Sequence, residues 1–371
     1  MNPPSSSGRS LARIFATGTL GAAVFLFAPL LLGSLAALPG WTPAAAGMVL
    51  SIELCCAALG SLALLLQAPH RLLSPGLFGL ALLNLATALL LRGDADQVIG
   101  IVVLRGLCGF GEGAVLAAVY IAIGTAPDPD RRFGLFLATT LFTAGLGSMV
   151  FPPVQATIGL PGLFGVMACA AFLLAIGAGR GRAAPDHDDG SRKPPSPAAL
   201  AALAAILLFF CGQGVAWSFA EQIGAAAALA PETIGAALGL ASLAGLGGAL
   251  IAARQAERLG RSMPILCAGL AATALEGLLD SGVDARTFFA VVCGLQLCWC
   301  YSAPFFLGGL AALVEDRRLV SLTVFTQLAG LGLGPMAGTL LLDHGLGIIR
   351  VLAAVFGLGA IALATIAFRR T

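Results

Sequence analysis

The fold class this chain predicts is an all-α polytopic membrane protein, and three observations predict it. Apolar stretches of roughly 18 to 25 residues recur from end to end, and the short segments between them hold nearly all the charge. Of 371 residues 58% are hydrophobic and only 10% charged, and the mean hydropathy is +0.97. A soluble chain of this size needs far more charge to cover itself. The basic residues, finally, fall in alternate inter-span segments. A helix rising about 1.5 Å per residue crosses a hydrocarbon core of about 30 Å with about 20 residues. Inside lipid every backbone N–H and C=O must be bonded within the chain, so the spans are helices.

Taken in order, the spans run roughly over 12–38, 43–66, 73–91, 98–125, 133–152, 161–179, 198–227, 232–253, 263–280, 287–313, 319–342 and 347–368. The first resembles a signal peptide, with Arg9 and Arg13 ahead of an apolar run, but the run is too long for a secretory core and eleven spans follow it. It is expected to remain as the first transmembrane helix. The fifth is expected to end at Pro152-Pro153, with a short loop leading into the sixth. With the N-terminus in the cytoplasm, sixteen of the twenty basic residues lie inside, three lie outside (Arg92, Arg286, Arg350), and Arg105 falls within a span. Both termini are therefore expected in the cytoplasm of a bacterial cell, with the chain in its inner membrane.

The longest polar stretch, 179–197, is rich in Pro, Gly and charge and sits at the middle of the chain. It predicts a cytoplasmic linker between an N-terminal six-helix bundle (1–178) and a C-terminal one (198–371). The halves resemble each other at a near-constant offset. Gly145-Leu146-Gly147-Ser148-Met149 returns as Gly332-Leu333-Gly334-Pro335-Met336, and Asp130-Arg131-Arg132 as Asp316-Arg317-Arg318. A duplicated six-helix unit, with the copies related by a pseudo-two-fold axis, is the economical explanation.

The segment joining spans 8 and 9, Ala253-Arg254-Gln255-Ala256-Glu257-Arg258-Leu259-Gly260-Arg261, resembles the cytoplasmic loop signature of the major facilitator superfamily. Ala253 stands where that family has glycine, and Glu257 where it has aspartate. The equivalent segment between spans 2 and 3, 67–73, keeps little beyond Arg71. Gly330-x-x-x-Gly334-Pro335-x-x-Gly338 in span 11 has the shape of the family's antiporter motif, which belongs in span 5; there Gly147-Ser148 lacks the following proline. Antiport is thus not supported by motif. The resemblance covers essentially the whole chain and implies twelve helices, alternating access, and a central cavity lined by spans 1, 4, 7 and 10. It implies an inner-gate latch at Glu257, Arg258, Gly260 and Arg261, for which plain topogenic charge is the alternative. Physically, glycines four apart permit close helix approach, and Pro335 favours a bend where the halves meet.

Ionisable groups at membrane depth cost about 2.5–3.5 kcal/mol each on insertion scales and demand a reason. Arg105 and Glu112 lie on one face of span 4, roughly 12 and 22 Å deep. Glu53 lies near the midplane of span 2, where it is protonated, paired with Arg105, or open to a water-filled cavity. These three are the proton-coupling or substrate candidates; an ion pair of packing value only is the alternative. Gln213, Trp217 and Glu221 make a polar stripe on span 7, and span 10 offers Gln296, Trp299 and Tyr301. These six are the cavity candidates, with interfacial anchoring the alternative for the tryptophans. Glu276 and Asp280 are expected at the outer interface.

No phosphate-binding Gly-x-x-x-x-Gly-Lys-[Ser/Thr] loop is present, and the single lysine, Lys193, is in the linker. His70, His187 and His344 are expected between spans, away from the nine cysteines, which read as small packing residues. No catalytic cluster, metal or cofactor is expected. Formal net charge is only +2, which gives no basis for a nucleic-acid partner. The expected function is secondary transport of a small organic solute, coupled to protons, by a monomer in the lipid bilayer. With 21 phenylalanines against two tyrosines, export of amphiphilic compounds is favoured. Import or uniport of an organic anion through Arg105 stays open, as does, more remotely, a membrane-embedded enzyme or sensor on a transporter fold.

Overall fold

Residues 6–62, 69–92, 98–124, 129–177, 196–255, 260–280, 282–313 and 317–368 are described by a computed structural model. Every regular element among them is helical.

The first span is a bent rod of three pieces, α1 (Ser6–Gly21), α2 (Ala23–Leu26) and α3 (Ala28–Ala36). Its second break falls at Phe27, two residues before Pro29, whose ring offers no N–H to the turn before it. There follow α4 (Pro43–Leu62), α5 (Pro69–Leu90) and α6 (Val98–Gly124). Because α5 starts at Pro69, His70 and Arg71 lie in its first turn rather than in a loop; proline at a helix start loses no bond that the helix would have made.

Spans 5 and 6 form one continuous stretch, α7 (Pro129–Gly177), broken at Gly159. The expected end at Pro152-Pro153 is therefore wrong by about one and a half turns. A proline pair removes two intrahelical bonds, but the backbone stays helical until Gly159, whose φ of 66° is a left-handed value that glycine adopts without strain. Pro161 then stands where a new helix needs no donor.

The second half comprises α8 (Pro197–Ser218), α9 (Ala220–Ala226), α10 (Pro231–Gln255), α11 (Ser262–Glu276), α12 (Ala285–Leu313), α13 (Arg317–Leu340), a 3-10 turn at Leu342–His344 and α14 (Gly347–Ala367). Ser196 caps α8 by accepting the N–H of Ala199. Counting α1–α3 as one rod, α8–α9 as one and α7 as two, the described residues make twelve rods. Long apolar side chains such as Leu82, Leu89, Ile99, Leu173 and Ile176 stand exposed on the outside of the bundle, as lipid contact requires.

Packing repeats between halves. In the first, α4 lies on α6 and α5 on α6 and α7; in the second, α10 lies on α12 and α11 on α12 and α14. The halves meet at two related crossings, α4 on α13 and α7 on α10. Both are glycine seams. A Cβ on Gly332 would lie 2.7 Å from Cys55 Sγ, and one on Gly239 would lie 2.6 Å from the Gly145 carbonyl. With little hydrophobic drive between helices in lipid, such close backbone approach supplies the packing contact.

Candidate functional site

Arg105, on α6, organises the first site. Its Nε donates to Glu53 Oε2 on α4 at 3.0 Å and its Nη2 to Glu53 Oε1, a two-point pair. Nη2 is also 3.6 Å from Glu112 Oε1, one helical face along α6. Nη1 donates to Asn84 Oδ1 on α5 at 2.9 Å. The guanidinium carbon lies 4.7 Å from the centre of the Phe164 ring on α7, within cation–π range. Arg105 and Glu53 are each 1% exposed and Glu112 3%. Four helices thus close around one cation and two carboxyls.

Glycine makes this approach possible. A Cβ on Gly109 would strike the Glu53 carbonyl, one on Gly113 the Ala57 carbonyl, and one on Gly60 the Phe110 carbonyl. With backbone against backbone, the short Glu53 side chain reaches Arg105 directly. Asn84 is anchored in turn, its Nδ2 donating to the Leu80 carbonyl at 2.9 Å.

The second cluster lies between the halves. Trp217 Nε1 donates to the Phe25 carbonyl at 3.2 Å. That carbonyl is the one Pro29 cannot satisfy, so the break in the first rod creates the acceptor. The Phe25 ring meets Trp299 edge-on, with centroids 5.2 Å apart. Gln213, Trp217, Gln296 and Trp299 line one small cavity of about 10 Å³. Both tryptophans are therefore buried at the junction and do not act as interfacial anchors. Glu221 sits half-buried on α9, and a Cβ on Gly33 of α3 would collide with its carboxylate.

Tyr301 does not join this cluster. Its hydroxyl donates to Gln255 Oε1 on α10 at 2.6 Å. The expected glycine seam also needs correction. Gly330, Gly334 and Gly338 face α8 within their own half, against Phe210, Cys211 and Val215, and α13 runs through Pro335 in helical backbone. The α13 glycine that meets the other half is Gly332. Glu276 is not interfacial either: it is 3% exposed. Of the expected inner latch, Glu257 and Arg258 lie outside the described residues; Gly260 takes φ 62°, a glycine conformation, and Arg261 precedes α11.

Asn84, Phe164, Phe25 and Gly33 were not legible as site residues from the sequence. Asn84 had a signal, an amide inside an apolar span; the other three become visible only when the helices are assembled. Among the described residues no three His, Cys, Asp or Glu side chains come together as a metal-binding group.

No family model matches the chain, and no curated protein matches it. Among solved structures, the inward-open conformation of the xylose transporter XylE from E. coli is similar over 94% of each chain, with a TM-score of 0.75 at 12% identity. XylE is a major facilitator sugar transporter.

The chain has the major facilitator fold.

Within the major facilitator fold the Arg105 cluster occupies the interior of the first six-helix bundle, and the Trp217–Trp299 group occupies the contact between bundles. The chain is a multi-pass membrane protein, and among the described residues eight helical stretches are long and apolar enough to cross a bilayer.

Proposed function

We propose that this protein is a secondary active transporter that moves a small organic solute by alternating access, driven by protons. The two bundles are 1–178 and 198–371, joined by a cytoplasmic linker at 179–197. The observation that carries the reading is the Glu53–Arg105–Glu112 group. With all three ionised, one negative charge stays uncompensated at membrane depth. Both carboxyls depend on the one guanidinium, Glu53 through both oxygens and Glu112 at 3.6 Å, so a proton on one of them balances the group. A site that must hold one proton, in a helix bundle that moves against another, is a chemical basis for coupling.

Arg105 is occupied by Glu53, Glu112 and Asn84, which disfavours its use as an anion receptor. The cavity of about 10 Å³, which lies in the second bundle beside the Phe25 contact, is walled by Trp217, Trp299, Leu295, Val292 and Leu279, with Gln213 and Gln296 as the polar groups. It is too small for a solute in this closed form, but once opened its aromatic and aliphatic walls, with few hydrogen-bonding groups, suit an amphiphilic solute better than a sugar. An amphiphilic compound is therefore the favoured solute, with its export kept as the direction favoured by 21 phenylalanines against two tyrosines. The chain acts as a monomer in the bacterial inner membrane, with both termini cytoplasmic by its basic-residue asymmetry. In that orientation, the contacts of α3 with α9 and of Gly47 with Thr339 close the outer end. The segment at Glu257, Arg258, Gly260 and Arg261 then serves as an inner latch.

The test is reconstitution in liposomes carrying an imposed pH gradient, with a panel of fluorescent amphiphiles. Gradient-dependent redistribution of a panel member that collapses with a protonophore is expected. Redistribution indifferent to the gradient would remove the proton role, and movement only of hydrophilic anions would overturn the substrate class.

A further inference from the structure

A second cavity, of about 20 Å³, lies wholly inside the second bundle among α8, α11, α12 and α14. It has room for one water-sized body and none for an organic solute. Glu276 lines it, 3% exposed, and its Oε2 has no hydrogen-bond partner. Arg350, on α14, pairs with Asp280, with Nη1 3.5 Å from Oδ2.

The rest of the polar lining is Gln213, Thr273 and Ser302. Thr273 Oγ1 donates to the Gly269 carbonyl at 3.0 Å, and Ser302 Oγ to the Cys298 carbonyl at 2.8 Å. Each hydroxyl has a single proton, so both present only lone pairs to the cavity. Gln213 can turn its amide oxygen the same way. An anion would find no donor among these hydroxyls. A small hard cation would find a carboxylate and several neutral oxygens, the ligand set such ions favour. A buried carboxylate without a counter-charge is costly in lipid, and a bound cation removes that cost.

We propose that this cavity binds a single sodium ion, held by the Glu276 carboxylate with side-chain oxygens of Gln213, Thr273 and Ser302. Its small volume favours sodium over the larger potassium ion. The site is separate from the Arg105 group and does not depend on the transport reading. Gln213 also lines the smaller cavity beside Trp217, so a bound ion would orient an amide that faces both spaces.

The test uses the purified full-length chain in detergent, with thermal unfolding followed in sodium, potassium and choline chloride at equal ionic strength. Ligand that binds the folded state raises its unfolding midpoint. The midpoint is expected to rise saturably with sodium alone. That rise should be lost in Glu276→Gln and kept in Asp343→Asn, a change at an exposed position. If Glu276→Gln does not fold, Thr273→Val and Ser302→Ala should each shift the half-saturating sodium concentration upward. Equal midpoints in the three salts would overturn the proposal. So would a sodium effect that survives these substitutions, or a midpoint that responds to pH with no response to sodium.

Discussion

Arg105 grips Glu53 at two points, Nε to Oε2 and Nη2 to Oε1, across the α4–α6 contact. A fork meeting a carboxylate in this way fixes both side chains, and a lysine cannot reproduce it. Removing one partner leaves a charge stranded in the bilayer. Arg105→Ala is expected to destabilise the fold by about 3–5 kcal/mol, with Arg105→Lys intermediate. Thermal unfolding in detergent, together with yield of folded protein, measures this; an unperturbed Arg105→Ala would mean that water reaches the cluster.

Glu53 and Glu112 share one environment but not one role. Glu53 holds Arg105 through both oxygens, whereas Glu112 meets it only at 3.6 Å. Glu112→Gln keeps the Glu53 pair and fixes the cluster in a neutral, proton-bearing form. Gradient-driven accumulation should disappear while solute exchange across the membrane persists. Full pH-driven transport in both Glu112→Gln and Glu53→Gln would show that the charges are structural.

The α4–α6 seam should tolerate no side chain at its glycines. Gly109 faces the Glu53 backbone carbonyl, and a carbonyl in a helix cannot rotate aside as a side chain does. Gly109→Ala should cost about 1–3 kcal/mol by overpacking and loosen the Arg105 cluster with it. Gly79, which a Cβ would leave in open space, is the control; Gly79→Ala should shift stability by less than about 0.5 kcal/mol.

Much of this molecule was legible in its sequence because the bilayer imposes a simple rule, one apolar helix per crossing. Span 4 (98–125) and span 12 (347–368) agree with α6 and α14 to within a residue or two. The Arg105–Glu53–Glu112 group was also legible, since charge at membrane depth has few partners to choose from. What failed depended on helix rotation or on local backbone. Spacing put Gly330, Gly334 and Gly338 on one face but did not say whether that face met α8 or the other bundle. Pro152-Pro153 read as a stop, yet the turn needed a left-handed residue, and Gly159 was the first glycine after them. Glu276 read as interfacial because it ends a span, while its side chain leans back into the bundle, as helical side chains do.

Asp284 caps α12 from outside the membrane-spanning segment. Its Oδ1 accepts the N–H groups of Arg286 and Thr287, and its Oδ2 accepts the Thr287 hydroxyl. The Thr287 hydroxyl bond, before the backbone bonds, holds this carboxyl below the usual aspartate range. A depressed carboxylate contributes stability that is present above its unfolded pKa and is lost as pH falls through the folded value. The cap should therefore act fully at neutral pH and fade only in acid. Asp284→Ala should lower stability at pH 7, and Asp284→Asn, which still accepts, should retain most of it. Unfolding curves at neutral and acid pH compare the three; an Asn variant as weak as Ala would leave charge as the operative property.

The α4–α13 crossing joins the bundles at Gly332, where an added Cβ would lie 2.7 Å from Cys55 Sγ. If the bundles rock, this contact must loosen in the opposite state, and a covalent bond across it should arrest the cycle. Gly332→Cys places a second thiol beside Cys55, at the cost of some strain because the Leu54 and Cys55 backbone is also close. Under mild oxidation a disulfide is expected between them. With a protease site inserted in the 179–197 linker, the cleaved halves should stay joined on a denaturing gel until reductant is added. Gly332→Cys combined with Cys55→Ser should separate under either condition. Solute flux should stop on oxidation and return on reduction in the Gly332→Cys protein alone. A cross-linked protein that still transports would mean that α4 and α13 stay packed throughout the cycle, with the motion taken up elsewhere.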